Sequence, residues 1–222
     1  AFYGRNMLAG KDGVKAAVAA LKGSPGECAR AGARLTQDLP EKSVVPSVAG
    51  ALKDMPQANQ IIALAALAAR GDRAAQDGVL ERVASESADV RISALSALEE
   101  LGDKRAVKTV MGVASSAQVD KPSRNSARKA LNAMNGPGVN DEIVAAMRVA
   151  DVATKTEYAK VLGARKARGA LDVLLDAARD ADAGLAEESR KSISLLAQAE
   201  DLPELVKLVT DTSDAGALKQ LE

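Results

Sequence analysis

Asp89-Val90-Arg91-Ile92-Ser93-Ala94-Leu95-Ser96-Ala97-Leu98-Glu99-Glu100-Leu101-Gly102-Asp103 spaces Ile92, Leu95 and Leu98 three residues apart, fills the gaps with small residues and ends on Gly-Asp. Apolar residues at that spacing share one side of a helix. A glycine can close such a helix, and an aspartate after it can cap the next. The pattern recurs along the chain. Leu98 has counterparts in Ala33-Arg34-Leu35, Ala65-Ala66-Leu67, Lys129-Ala130-Leu131, Lys160-Val161-Leu162 and Ser194-Leu195-Leu196. These anchor leucines lie 32, 31, 33, 31 and 34 residues apart. A period that regular marks a repeat array.

Each unit reads as two helices. After a short turn, such as Arg70-Gly71-Asp72-Arg73, the second helix brings an apolar pair twelve and thirteen residues after the anchor. Those pairs are Val79-Leu80, Val110-Met111, Ile143-Val144, Leu174-Leu175 and Leu208-Val209, with Ser47-Val48 in a looser first unit where Pro46 shortens or kinks the helix. Breakers and caps separate the units, and alternating strand patterns are nearly absent. One helix pair cannot bury its own apolar stripe, whereas pairs stacked in a row can. The sequence therefore predicts an all-α fold: an α-solenoid, wound as a right-handed superhelix, of about six two-helix repeats. Units are expected near 26–54, 59–86, 88–116, 123–151, 154–182 and 186–214. Residues 1–25 are expected to form a truncated N-terminal cap, and 215–222 a frayed tail, vector-derived at its end.

The Asp89–Asp103 stretch, followed by Ala106-Val107, resembles the short HEAT repeat of bacterial proteins, and the resemblance extends over residues 26 to 214. Unit 4 departs from it with Asn135-Gly136-Pro137-Gly138 in its turn, and unit 5 with Gly163 and Tyr158. The stretch 123–210 is also similar to HEAT arrays in exported bacterial proteins, which implies a periplasmic or surface location. Enzymatic branches of the family include deoxyhypusine hydroxylase-like proteins, which hold iron with His-Glu motifs, and alkylpurine glycosylase-like proteins, which use Trp and aromatic clefts. The phycobilin lyase-like branch is similar in repeat length.

Composition narrows the chemistry. Of 222 residues none is His or Trp, one is Cys and three are aromatic, while 46 are alanine. That removes imidazole nucleophile relays, imidazole or thiolate metal clusters, internal disulfides and stacking platforms for single strands. Thirty basic and thirty acidic residues cancel, which makes nucleic acid an unfavoured partner. The longest apolar run, Ile61–Ala69, has nine residues against the roughly 20 of a membrane helix. Ser126-Ala127-Arg128-Lys129 fits the S-x-x-K pattern without its companion motifs. Asp180-x-Asp182-x-Gly184 lacks the later ligands of a calcium loop. Cys28 is expected to be a packed thiol. No catalytic, cofactor or metal residues are assigned, no cofactor is expected, and the chain is read as non-enzymatic.

Alanine one and four residues before the anchors fits close helix contact, where aromatics would overfill. Positions ten, eleven and fourteen after the anchor should face outward on the second helices, along the concave side of a solenoid. They run Val45, Pro46, Ala49; Asp77, Gly78, Glu81; Lys108, Thr109, Gly112; Asp141, Glu142, Ala145; Asp172, Val173, Asp176; Val206, Lys207, Thr210. Six acids stand against two lysines, so the candidate partner-binding residues are Asp77, Glu81, Lys108, Asp141, Glu142, Asp172, Asp176 and Lys207. Apolar gaps are expected at Ala49, Val173 and Val206. The helix turns carry Lys42, Arg70, Arg73, Lys104, Arg105, Arg165, Lys166 and Arg168, suited either to helix dipoles or to DNA. The expected function is a scaffolding or protein-binding module, monomeric and part of a longer chain, that receives a basic or mixed-charge protein segment. The alternatives are a phycobilin lyase-like accessory enzyme and a DNA-binding array.

Overall fold

The computed structural model describes residues 2–7 and 10–211. The expected tail, 215–222, and the end of the last predicted unit lie outside them. The fold is an all-α solenoid of helix pairs with a HEAT-like arrangement, and no strand occurs among the described residues. Two helices, α1 (Phe2–Met7) and α2 (Lys11–Lys22), precede six pairs. The pairs are α3 (Glu27–Asp38) with α4 (Val44–Ala51), α5 (Gln57–Arg70) with α6 (Gln76–Val83), and α7 (Ala88–Leu101) with α8 (Val107–Ser115). Then come α9 (Lys121–Ala133) with α10 (Val139–Val149), α11 (Val152–Ala164) with α12 (Leu171–Ala177), and α13 (Ala183–Leu196) with α14 (Leu202–Asp211). No helix among the described residues is long and apolar enough to cross a membrane.

In α5 and α7 the central buried residues fall at the anchor and one, three and four positions before it: Ala63, Leu64, Ala66 and Leu67, then Ala94, Leu95, Ala97 and Leu98, with Asn59, Gln60, Val90 and Leu101 buried toward the helix ends. Alanine at two of these four places lets each first helix lie directly on the next, and the leucines fill the space toward the second helices. The same four positions in α3 are Gly32, Ala33, Leu35 and Thr36, while Arg34 is exposed. The anchor of the first unit is therefore Thr36, one residue later than the leucine pattern places it. A threonine can stand in the core because its hydroxyl donates to the Gly32 carbonyl at 2.9 Å. Pro46 falls in the first turn of α4, where its missing N–H has no helical partner to lose.

The two departures in unit 5 also have packing causes. Tyr158 is buried at a position that is alanine in units 2 to 4, and α11 packs on α8 and α13 more than on α9. Burial raises its phenol pKa, with the Glu142 charge adding to the effect. At Gly163 a Cβ would stand 2.6 Å from the Ser192 hydroxyl and 3.0 Å from Ser192 Cα, so α11 and α13 meet there almost backbone to backbone.

Helix ends are closed across unit boundaries. Arg70 donates to the carbonyls of Thr36, Gln37 and Leu39 at the end of α3, and Arg165 to those of Leu131 and Asn132 at the end of α9. On the opposite edge Arg91, Arg124, Arg128 and Arg190, all on first helices, donate to Ser85, Ser116, Ala114 and Ala178 after or within the preceding second helices. N-termini are capped by Ser87, Asp120, Asp151 and Asp182, each accepting from the N–H three residues on.

Asp120 joins both systems. It accepts from the Ser123 N–H and hydroxyl and from Arg91, and these partners hold its carboxyl at about 2, below the ordinary 3.8. A carboxyl with a depressed native pKa stabilises the fold above the ordinary value and loses that contribution as pH falls. The thermal midpoint should thus drop more steeply between pH 4 and pH 2 in the native chain than in Asp120→Asn. Parallel acid curves for the two proteins would show that Asp120 contributes nothing.

Candidate functional site

The outward column of the second helices is not uniform. In the first unit the register shift moves its members to Pro46, Ser47 and Gly50, all exposed, while Val45 and Ala49 are buried. Ala49 is thus no gap in the surface. It faces Gly78 of α6, where a Cβ would stand 2.5 Å from the Ala49 carbonyl oxygen. Glycine lets α4 and α6 touch by backbone and seals the surface between them. At the equivalent place later units carry the larger Thr109, Glu142, Val173 and Lys207.

Clefts open on both sides of α12. One, of ≈ 290 Å³, has a buried apolar floor of Met147, Val173 and Ala177 beneath Arg148, Lys155, Asp176 and Asp180. A second, of ≈ 240 Å³, continues between α10 and the turn before α12, past Asp141, Val144 and Arg148. The third, of ≈ 710 Å³, separates α12 from α14 and carries Asp172, Asp176, Arg179, Glu204 and Lys207 over Leu171 and Leu175. Next to it α14 exposes Leu202 and Val206, one turn apart. Val173, expected as an apolar gap, is the floor of a cleft, whereas Val206 is open to solvent.

The structure brings four of the eight sequence candidates to these clefts: Asp141, Asp172, Asp176 and Lys207. The others stay apart from them. Asp77 pairs with Arg105 at 2.8 Å, Glu142 with Lys108 at 3.5 Å and Glu81 with Arg82 at 3.7 Å. Asp172 is held by Arg148 across α10 and α12. Much of the acidic column is thus neutralised by neighbouring cations, which leaves Asp141 and Asp176 without an ion pair among the described residues. Sequence spacing missed Arg148, Lys155, Asp180 and Glu204, because they enter from helix ends rather than from the column.

The basic turn edge is largely occupied. Arg70 and Arg165 close helix ends, Arg168 binds the Leu196 carbonyl with Glu200 and Asp201, and Arg73 donates to Asn135. The other motifs resolve into structure. Lys129 pairs with Glu99 at 3.0 Å rather than with Ser126, and Asp182 caps α13 while Asp180 accepts from the Asp182 N–H. Cys28 is exposed, not packed, because the first turn of α3 presents it to solvent.

No protein-family model and no curated protein matches the chain. Solved structures do. The chain is similar to YibA of Escherichia coli at 17% identity, over 96% of this chain and 82% of that one, with a TM-score of 0.44. It is similar to the CpcE–CpcF complex of phycocyanin lyase from Nostoc sp. at 17% identity, over 94% and 92%, with a TM-score of 0.47. Human deoxyhypusine hydroxylase matches at 14% identity, over 96% and 95%, with a TM-score of 0.41. The likeness is one of all-helical, HEAT-like fold. The non-enzymatic reading is corrected: the structures to which the chain is similar include a phycocyanin lyase and a deoxyhypusine hydroxylase.

Proposed function

We propose that this chain is a protein-binding or scaffolding module of bacterial HEAT type. Its array, near residues 26–214, receives a protein segment along the second-helix side, taken as the concave one. The observation that carries this reading is the set of clefts flanking α12, where mixed charges stand over a buried apolar floor. Specific interfaces commonly combine such polar rims with an apolar centre. A segment of alternating charge would satisfy Asp141, Asp176, Glu204 and Lys207 while laying apolar side chains on Leu202 and Val206.

The reading is tested by selecting peptides from a random display library on the intact chain. Affinities are then compared with the triple variant Asp141→Lys, Asp172→Lys, Asp176→Lys. Reversal should weaken the selected peptides by at least about tenfold at low salt and flatten their salt dependence. Affinity and salt slope left untouched would sink the proposal.

A further inference from the structure

Of the asparagines in the chain, all but one lie in helices: Asn6 in α1, Asn59 in α5, Asn125 and Asn132 in α9, and Asn140 in α10. Helical dihedrals point each following N–H along the axis, away from the side chain before it. Asn135 stands apart. It is exposed in the turn between α9 and α10 and is followed by Gly136. Packing imposes that neighbour. A Cβ at position 136 would stand 2.3 Å from the Gly102 carbonyl oxygen and 2.7 Å from Asp103 Cα, so no other residue fits. The close approach of the turns of units 3 and 4 therefore builds an Asn-Gly pair, in which no side chain shields the second amide nitrogen from the asparagine before it. Among the described residues no backbone carbonyl accepts the Gly136 N–H.

The asparagine amide is itself polarised. Arg73, in the turn of unit 2, donates from Nη2 to Asn135 Oδ1 at 2.9 Å. A guanidinium on that oxygen draws electrons from Cγ and stabilises the negative charge that the oxygen takes up when a nucleophile adds. Exposed side chain, unshielded nitrogen and cationic donor thus meet at one residue.

We propose that Asn135 is a self-modification site, where the chain closes an imide on itself and then hydrolyses it, aided electrostatically by Arg73. The Gly136 nitrogen gives its proton to hydroxide and bonds to Asn135 Cγ. The Cγ–Nδ2 bond breaks, and the nitrogen leaves as ammonia after taking a proton from water. Water then adds to one of the two imide carbonyls and breaks its bond to the ring nitrogen, which leaves aspartate or isoaspartate. In total one water is consumed and one ammonia released, with nothing oxidised or reduced. Either product carries a new carboxylate next to Arg73, so a neutral contact becomes an ion pair between units 2 and 4.

The test incubates the intact chain at body temperature and neutral pH in heavy-oxygen water, and peptide mass spectrometry follows each asparagine. The mass gain of amide-to-acid conversion, with label in the new carboxylate, should appear at residue 135 at least about tenfold faster than at the helical asparagines. Arg73→Met, at an exposed position, should slow it roughly fivefold, less than the loss of a buried oxyanion donor. Asn135→Gln should remove the fast-converting site, and circular dichroism verifies the fold of each variant. An unchanged residue 135, conversion no faster than at Asn132 or Asn140, or a rate indifferent to Arg73→Met would overturn the proposal.

Discussion

Leu98→Ala should lower the stability of the array by about 3–4 kcal/mol, in the range of buried Leu→Ala changes. Leu98 is fully buried in the C-terminal part of α7, with α5 and α9 on either side and α6 behind. Truncation leaves a cavity in a core that is close-packed around the buried Leu95 and Leu101, so the surroundings relax only in part. For a chain of this length the thermal midpoint should fall by roughly 10 °C. Calorimetry on the variant supplies the measurement. A Leu98→Ala loss below about 1 kcal/mol would mean that the anchors are not the packing centres of their units.

Gly78→Val should be nearly as damaging, by about 3 kcal/mol, at the upper end for overpacking. The added Cβ would meet the Ala49 carbonyl oxygen at 2.5 Å and its carbon at 2.8 Å. These are backbone atoms that no rotamer change can move, so α4 and α6 must separate. Gly78→Ala should cost less than Gly78→Val, the same Cβ clash being partly offset by better helix propensity. Denaturant midpoints for both substitutions provide the measurement. Unchanged stability in Gly78→Val would show that the two helices are not in backbone contact.

The leucine spacing was enough to read the solenoid, because every anchor except the first is a leucine that the packing buries. The first unit escaped because Thr36, a polar residue, occupies the anchor position and is made tolerable by a hydrogen bond that no pattern reveals. The candidate site was half legible. Asp141, Asp172, Asp176 and Lys207 follow from position along a helix, and four of the eight candidates reach the clefts. That Asp77 and Glu142 are neutralised depends on Arg105 and Lys108 reaching across from neighbouring units, which is a three-dimensional fact. The close approach of α4 and α6 was written at position 78, but a glycine there reads as a weak helix residue until the facing alanine is known.

The arginines that close helix ends limit how interchangeable the units are. Each of Arg70, Arg91, Arg124, Arg128, Arg165 and Arg190 completes a helix that belongs to the preceding unit. Excising one helix pair and rejoining the flanks would preserve the apolar phase of the repeat, yet strip guanidinium donors from the carbonyls at the scar. The array is periodic in its core but ordered at its edges, and neighbours cannot be exchanged freely even where their leucines align.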